Sequence, residues 1–317
     1  MKNAVCILGP TACHKTDTAV YLAKRLHGEV LSADSVQVYI GMDVGSAKPT
    51  VSERQGIPHH LIDCVPVDTP DFSVAKYRTM AQAALADMRQ RNVLPIIVGG
   101  SGLYVNALAR PLSFASQPAD EAVRRKWEAA YDSSATAVYD ALLRVDRSTA
   151  NRVHVNDRKR IVRALEVYEV TGKPLSSYGA DFQSGESATD PVCDPIMIGL
   201  TMQREALYER TDLRVDRMLQ NGLVAEARAL YDAGYDRALP AMQSIGYRQL
   251  FSYFDGACTL DEAVMRIKLD TRHFAKRQWT WFKRDARVRW YDVTQYNEAC
   301  LTAIETDIRR EVLERWS

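Results

Sequence analysis

Apolar residues follow two rhythms over the first 110 positions. Ala4 to Leu8, Val30 to Ser32, His60 to Ile62 and Leu94 to Val98 are short apolar runs that read as buried strands. Between them the spacing changes. Ala19, Leu22, Ala23 and Leu26 share one face of a helix over Lys15 to Leu26, and Ser73 to Arg91 carries a second helical pattern. Buried strands alternating with helices predict an α/β fold, a parallel sheet with helices on both faces.

From about Pro118 to Tyr178 the strand pattern stops and Ala, Arg and Asp dominate, which predicts an inserted all-helical domain. Within it Asn156-Asp157 reads as the N-cap of a helix over Arg158 to Thr171, closed by Gly172 with Pro174 beyond. Ser176 to Pro195 is polar and reads as a linker, after which Ile196 to Thr201 resembles one more strand. Long helices fill the rest, notably Glu205 to Gln220, stopped by Gly222, and Asp261 to about Arg284. The expected organisation is a core of residues 1–117 and 196–317, with residues 118–195 as a helical insertion.

Chemistry enters at the first strand-to-helix turn. Gly9-Pro10-Thr11-Ala12-Cys13-His14-Lys15-Thr16 follows G-x-x-x-x-G-K-[ST], the pattern of nucleotide-binding and ATP-binding loops, at every diagnostic position but one. In such a loop successive backbone N–H groups face an anion at a helix start, Lys15 adds charge and Thr16 offers a hydroxyl to a metal ion. The core is therefore expected to be a phosphate-loop NTPase-like fold. His14 occupies the slot of the second glycine, so its imidazole must point away, crowd the anion, or become cationic and contact it. Cys13, beside Lys15 at a helix start, is expected to have some thiolate character.

A second glycine-rich turn, Gly99-Gly100-Ser101-Gly102-Leu103-Tyr104, follows Leu94 to Val98, and strand ends of this architecture line one crevice. Asp34 stands at the carboxyl end of the second strand, where a carboxylate can ligate a metal, accept a proton, or cap the next turn. His59 and His60 lack acidic or cysteine partners at ligand spacing and read as structural. Asp63 follows too short an apolar run to serve as a second metal-holding carboxylate, which argues against ATP hydrolysis.

Charge sharpens the far end of the chain. Net charge over the 317 residues is +1, yet Arg266 to Arg289 holds nine Lys or Arg against Asp270 and Asp285. This reads either as a site for an anionic partner, nucleic acid foremost, or as a solvated helix face. Helical spacing places Arg272, Lys276 and Lys283 near one stripe with Trp279 beside it, and Ile267, Phe274, Trp281 and Phe282 towards the other side. Trp279 is expected in the core. Arg158, Lys159 and Arg160 form a second, smaller basic cluster. Six scattered cysteines without a C-x-x-C pair predict reduced thiols. No apolar stretch nears the roughly 20 residues of a membrane span, and Met1 to Leu8 runs straight into the loop, so cytoplasm is the expected compartment.

Eight segments in order now resemble one family, the tRNA dimethylallyltransferases, also called tRNA isopentenyltransferases. They are Gly9 to Thr16; Ala33-Asp34-Ser35 through Tyr39; Gly41-Met42-Asp43 to Ala47-Lys48-Pro49; Pro58-His59-His60-Leu61-Ile62-Asp63; Val98 to Tyr104; Arg163-Ala164-Leu165-Glu166-Val167; Ile245-Gly246-Tyr247-Arg248-Gln249; and Ala275 to Phe282. The resemblance implies transfer of a dimethylallyl group from its diphosphate to the exocyclic amine of the adenosine 3′ of the anticodon. It implies that Lys15 and Thr16 neutralise the departing diphosphate, Thr16 through Mg2+, and that Asp34 is the general base. Ser101 stands where the family usually has threonine and keeps the hydroxyl. For tRNA contact the resemblance implies Asp34, Ser35, Val36, Gln37, Ser101, Arg124, Arg158, Lys159, Arg160, Tyr247, Arg248, Gln249, Arg272, Lys276, Arg277 and Lys283. The expected partners are the tRNA anticodon stem-loop and dimethylallyl diphosphate, with the chain a monomer and no membrane involved.

Two other readings stay open on sequence. A small-molecule kinase would use the same loop and Asp34 but leaves the basic helix unexplained. A tRNA-binding relative weakened in catalysis is the reading His14 motivates.

Overall fold

A computed structural model describes residues 3–111, 120–178 and 191–316. The chain forms two compact units, Met1–Arg110 with Val192–Ser317, and Pro111–Pro191. In the first, strands β1 (Asn3–Leu8), β2 (Gly28–Ser32), β3 (His59–His60), β4 (Leu94–Gly99), β5 (Asp194–Thr201) and β6 (Arg289–Asp292) form one sheet in the order β3-β2-β4-β1-β5-β6, every pair parallel. Its helices are α1 (Lys15–Leu26), α2 (Val51–Arg54), α3 (Val74–Gln90) and α4 (Gly102–Ala109). The second unit contributes α5 (Glu121–Ser133), α6 (Ala135–Val145), α7 (Arg147–Ala150) and α8 (Arg158–Thr171). The first unit resumes with α9 (Arg204–Gln220), α10 (Leu223–Asp232), α11 (Tyr247–Phe254), α12 (Leu260–Phe282) and α13 (Glu298–Trp316).

Parallel strands covered on both faces must be apolar at every position, and β1 shows it. Ala4, Cys6 and Leu8 pack with Tyr77, Ala81 and Leu85 of α3 and with Val105 and Leu108 of α4. Val5 and Ile7 point the other way, against Ala19 and Leu22 of α1 and Ile304 and Ile308 of α13. Register holds β1 centrally, with Val5 opposite both Ile96 and Ile196. A third core joins α9 to α12 with the segment after β2, through Val38, Tyr39, Met42, Tyr247 and Ile267. The second unit has its own core around Leu142, Ile161 and Leu165. No described helix is long and apolar enough to cross a membrane.

Four elements differ from the sequence reading. The strand expected at His60 to Ile62 is only His59–His60, because Leu61 and Asp63 turn left-handed, at φ 59° and 54°. Asp194 and Pro195, read as linker, already pair with Asn3 and Ala4; residues 179–190 of that stretch lie outside the described residues. Proline is tolerated there because it stands near the start of its strand. β6 and the short α2 are additional, while α13 is among the long helices expected to fill the rest of the chain. Arg-Trp-Tyr-Asp is a polar, half-buried edge strand without the apolar run that marked the others.

Candidate active site

The loop after β1 carries the one departure from the phosphate-binding pattern, and its backbone explains the usual preference. His14 is the N-cap of α1 at φ 53°, ψ 23°, and Ala12 is also left-handed at φ 66°. That conformation costs a residue with a Cβ about 1–2 kcal/mol. The imidazole stacks flat on Tyr296, with centroids 3.9 Å apart and planes 4° apart, and its Nδ1 lies 2.9 Å from Asp17 Oδ2. A stacked aromatic pair is worth about 0.5–1.5 kcal/mol beyond its burial, so most of the strain is offset. The ring is thus held by Tyr296 and Asp17. In that position His14 also lines the cleft that opens around the loop. At Gly9, φ 142°, a Cβ would collide with the Leu200 carbonyl of β5, so only glycine lets the loop leave the sheet here.

Cys13 corrects the thiolate expectation. It is 1% exposed, and burial pushes its thiol up to about 11 against the opposing pull of Lys15 and Arg210. Proximity to a cation does not compensate for loss of water. Lys15 donates to the Pro10 carbonyl at 2.6 Å, and burial lowers its ammonium to about 8.

Around this loop opens a cleft of about 1050 Å³. It is lined by Thr11 to Asp17, by Asp34 to Gln37, by Asp43 to Thr50, by Gly99 and Gly100, and by side chains of α9 and α12. The loops after β1, β2 and β4 therefore meet at the carboxyl edge of the sheet, where open parallel sheets bind ligands. Asp34 caps the next turn, as one of its readings asked. Its Oδ1 accepts from the Val36 and Gln37 amides at 2.8 and 3.3 Å, while Oδ2 has no partner among the described residues. Ser101 Oγ accepts from the Ser35 amide at 3.0 Å and lies 3.2 Å from Ser35 Oγ, so its hydroxyl steadies the turn that carries Asp34. Gln37 donates its side-chain amide to Ser46 and Ala47 carbonyls, and Val36 is half-buried.

Several side chains escaped the sequence reading. Arg210, Arg214 and Arg217 of α9 line the cleft, with Arg210 Nε donating to the Ala12 carbonyl at 3.0 Å. Among the described residues the Arg214 guanidinium has no hydrogen-bond partner; burial lowers its pKa, with Asp34 and Glu53 pulling it back. Their i, i+4, i+7 spacing was the available signal. Gln278 of α12, 6% exposed, ties both glycine-rich turns together: its Oε1 accepts from the Thr11 amide at 2.8 Å and its Nε2 donates to the Gly100 carbonyl at 3.2 Å. A Cβ on Gly100 would collide with that amide. Glu226 of α10 accepts from the Asp43, Val44 and Gly45 amides at 2.8, 2.8 and 2.9 Å, holding the cleft's rim by a nest of N–H groups.

That carboxylate also accepts from the Tyr247 hydroxyl at 2.6 Å, and the Tyr247 ring is wholly buried. Tyr247 therefore braces the rim and presents nothing to a macromolecule. Gln249, also buried, bonds the Gly246 amide at 2.9 Å and Asp270 at 2.7 Å. Burial removes both from the implied tRNA-contact set, whereas Arg248 lines the cleft and pairs with Asp270 at 3.0 Å.

On α12, Ile267, Ala275, Gln278 and Phe282 are buried, while Lys276, Arg277, Trp279 and Lys283 are exposed. Trp279 corrects the core expectation: it is 36% exposed, with Lys283 Nζ 4.6 Å over its ring. A 100° advance per residue places it about 20° from Arg272, beside the basic stripe, and the structure keeps it on that side. Arg272 is committed to Asp212 of α9, Nε to Oδ1 at 2.8 Å. In the second unit Arg124 pairs with the buried Glu166 at 3.2 Å, Arg158 with Asp132 at 2.8 Å, and Arg160 with Asp157 at 3.2 Å. Lys159 is exposed. His60 bonds Glu29 at 2.7 Å and His59 the Ile57 carbonyl at 2.9 Å, while Lys48 clasps Asp43 and Asp63.

Two glycine-rich turns, three arginines of α9 and the Asp34 carboxylate thus meet in one cleft at the carboxyl edge of a parallel α/β sheet. The family model described as IPP transferase matches residues 37–285. The chain is 47% identical over 294 residues to the tRNA dimethylallyltransferase 2 of Geotalea uraniireducens, covering 91% of each. It is similar to the crystal structure of the full-length tRNA isopentenylpyrophosphate transferase from Bacillus halodurans, with a TM-score of 0.74, 41% identity, and 99% and 98% of the two chains covered. A eukaryotic dimethylallyltransferase solved acting on tRNA matches with a TM-score of 0.81 at 26% identity, over 98% of this chain and 80% of that one. The chain belongs to the IPP transferase family, and it is a transferase of a prenyl group.

Proposed function

We propose that this chain transfers a dimethylallyl group from dimethylallyl diphosphate to the exocyclic amine of the adenosine immediately 3′ of the tRNA anticodon. The observation that carries this reading is the meeting, in one cleft, of Lys15 and the unpartnered Arg214 with the spare oxygen of Asp34. In the reaction the amine nitrogen bonds to the first carbon of the dimethylallyl group as its bond to the diphosphate oxygen breaks. Charge grows on the leaving oxygens, and the loop amides, Lys15 and Arg214 stabilise it where it develops. Asp34 takes the proton that the amine loses, while its other oxygen stays bound to the Val36 and Gln37 amides and fixes the carboxylate's direction.

Mg2+ fits this site only as a shared ion. Among the described residues no group of three His, Cys, Asp or Glu side chains could hold a metal alone. Thr16 lines the cleft, and magnesium typically rests on few protein ligands plus substrate phosphates and water. Thr16 would hold it with the diphosphate, and the ion would neutralise leaving-group charge.

A stem-loop base reaches such a cleft only after leaving its stack, and the exposed Lys276, Arg277, Trp279 and Lys283 of α12 supply cations and an aromatic face for the displaced strand. The chain acts as a monomer in the cytoplasm under this reading. The test is mass spectrometry of tRNA nucleosides after incubation with dimethylallyl diphosphate and Mg2+. A prenylated adenosine formed by the native protein and abolished in Asp34→Ala supports the assignment; prenylation unaffected by that substitution sinks the role of Asp34, and none with either sinks the reaction.

A further inference from the structure

Tyr296 lies 280 residues beyond the phosphate loop, in the loop between β6 and α13, and belongs to none of the motifs singled out in the sequence. Its ring lies flat on His14, its hydroxyl is 3.3 Å from Thr18 Oγ1 on the first turn of α1, and its body packs against the core under α1 and α13. Thr18 is fully buried, so the tyrosine is anchored at both ends. Asp17 holds the other edge of the imidazole at 2.9 Å. Glycine would take the left-handed conformation at this position without help, whereas histidine needs its side chain fixed to keep the backbone there.

We propose that Tyr296 is a positioning residue for diphosphate binding: its stack on His14 holds the phosphate loop in its anion-binding conformation, doing for this chain what glycine does by itself. The inference rests on the reading of the loop as a diphosphate cradle. Tyr296 is not among the residues that line the cleft. It acts through His14 on the direction of the loop's N–H groups, which must converge before the anion arrives if binding is not to be spent on ordering them. The same anchoring makes the C-terminal segment part of the loop's support, because β6 fixes one side of Tyr296 and α13 the other.

The experiment is a double-mutant cycle read by calorimetric titration of the full chain with inorganic diphosphate and Mg2+, alongside KM and kcat for dimethylallyl diphosphate. In the native background Tyr296→Ala raises the diphosphate Kd about threefold to tenfold and raises KM with little change in kcat. In the His14→Gly background the same substitution changes Kd less than about twofold, because no imidazole is left to hold. Tyr296→Phe, which keeps the stack and loses the Thr18 contact, retains most of the affinity. Equal losses from Tyr296→Ala in both backgrounds would mean that the tyrosine only stabilises the fold, and would overturn the proposal. Thermal midpoints separate the cases: a structural role lowers them equally with or without His14. Failure of the native protein to bind diphosphate at all would overturn the cradle reading itself, and this inference with it.

Discussion

Asp34 and His14 show how much a single position in this site depends on direction. Asp34 divides its oxygens, one capping the turn and one free for a proton. Asp34→Asn keeps the cap but cannot act as a base, so turnover should fall by at least about 100-fold with the unfolding midpoint almost unchanged. Equal loss of activity and stability would assign the residue to the cap alone. His14→Gly should preserve or raise turnover, since the ring is held by Tyr296 and Asp17. A loss beyond about tenfold would show that the imidazole takes part in catalysis. For Cys13, burial that lifts the thiol to about 11 predicts slow alkylation at neutral pH, slower than that of the partly exposed Cys258, as quantified by mass spectrometry. These identities were legible in the sequence because the loop motif fixes spacing. The Asp34 cap was legible too, since its donors are two and three residues on; the burial of Cys13 and the stacking of His14 were not, because Arg210 and Tyr296 are far away in the chain.

At the scale of elements, the cleft is a set of loops held by helices outside the motif. Glu226 on α10 accepts three backbone amides and the Tyr247 hydroxyl. Glu226→Ala leaves those donors to water or to nothing, and should cost about 2–3 kcal/mol in stability, with a rise in KM as the rim loosens. An unaltered thermal midpoint and KM would show the nest to be incidental. The basic face of α12 makes a different prediction. Replacing Lys276 and Lys283 with Ala should weaken tRNA binding and flatten its salt dependence, by about one unit in the log–log slope per lost phosphate contact. Diphosphate affinity should not follow, because neither lysine lines the cleft. The helical period exposed this face in the sequence, yet it could not tell Arg272, which is paired with Asp212, from Lys276 on the same stripe. The period also put Trp279 beside the basic stripe; the core expectation came from its residue type, and the exposed ring follows the period.

For the whole molecule, acid sensitivity follows from carboxylates tied across the sheet. Glu29 of β2 is held down to about 2 by hydrogen bonds from Arg91, which outweigh burial, with His60 adding a further bond. Burial pushes Asp285 up, but bonds from Arg287 and the charge of Arg110 bring it to about 2 as well. Both folded values lie below the unfolded ones, near about 4, so the stabilisation is complete above about pH 5 and is lost progressively as pH falls towards 2. Urea midpoints should drop between about pH 5 and pH 3, with a shallower drop in Glu29→Gln. Identical pH profiles for the two proteins would remove Glu29 from the account.

The sequence by itself determined the buried strands β1, β2, β4 and most of β5, the phosphate-loop motif and the basic helix, since each is written in a local period or a fixed spacing that neighbouring residues enforce through their own backbone geometry. It also carried the family, through eight short segments in order. Tertiary structure alone decided which charges stay open to a ligand and which are spent on each other. Arg214, with no hydrogen-bond partner among the described residues, Gln278, bridging two loops, and Tyr296, lying on His14, acquire their roles only when distant segments meet, and no local pattern encodes a contact across hundreds of residues.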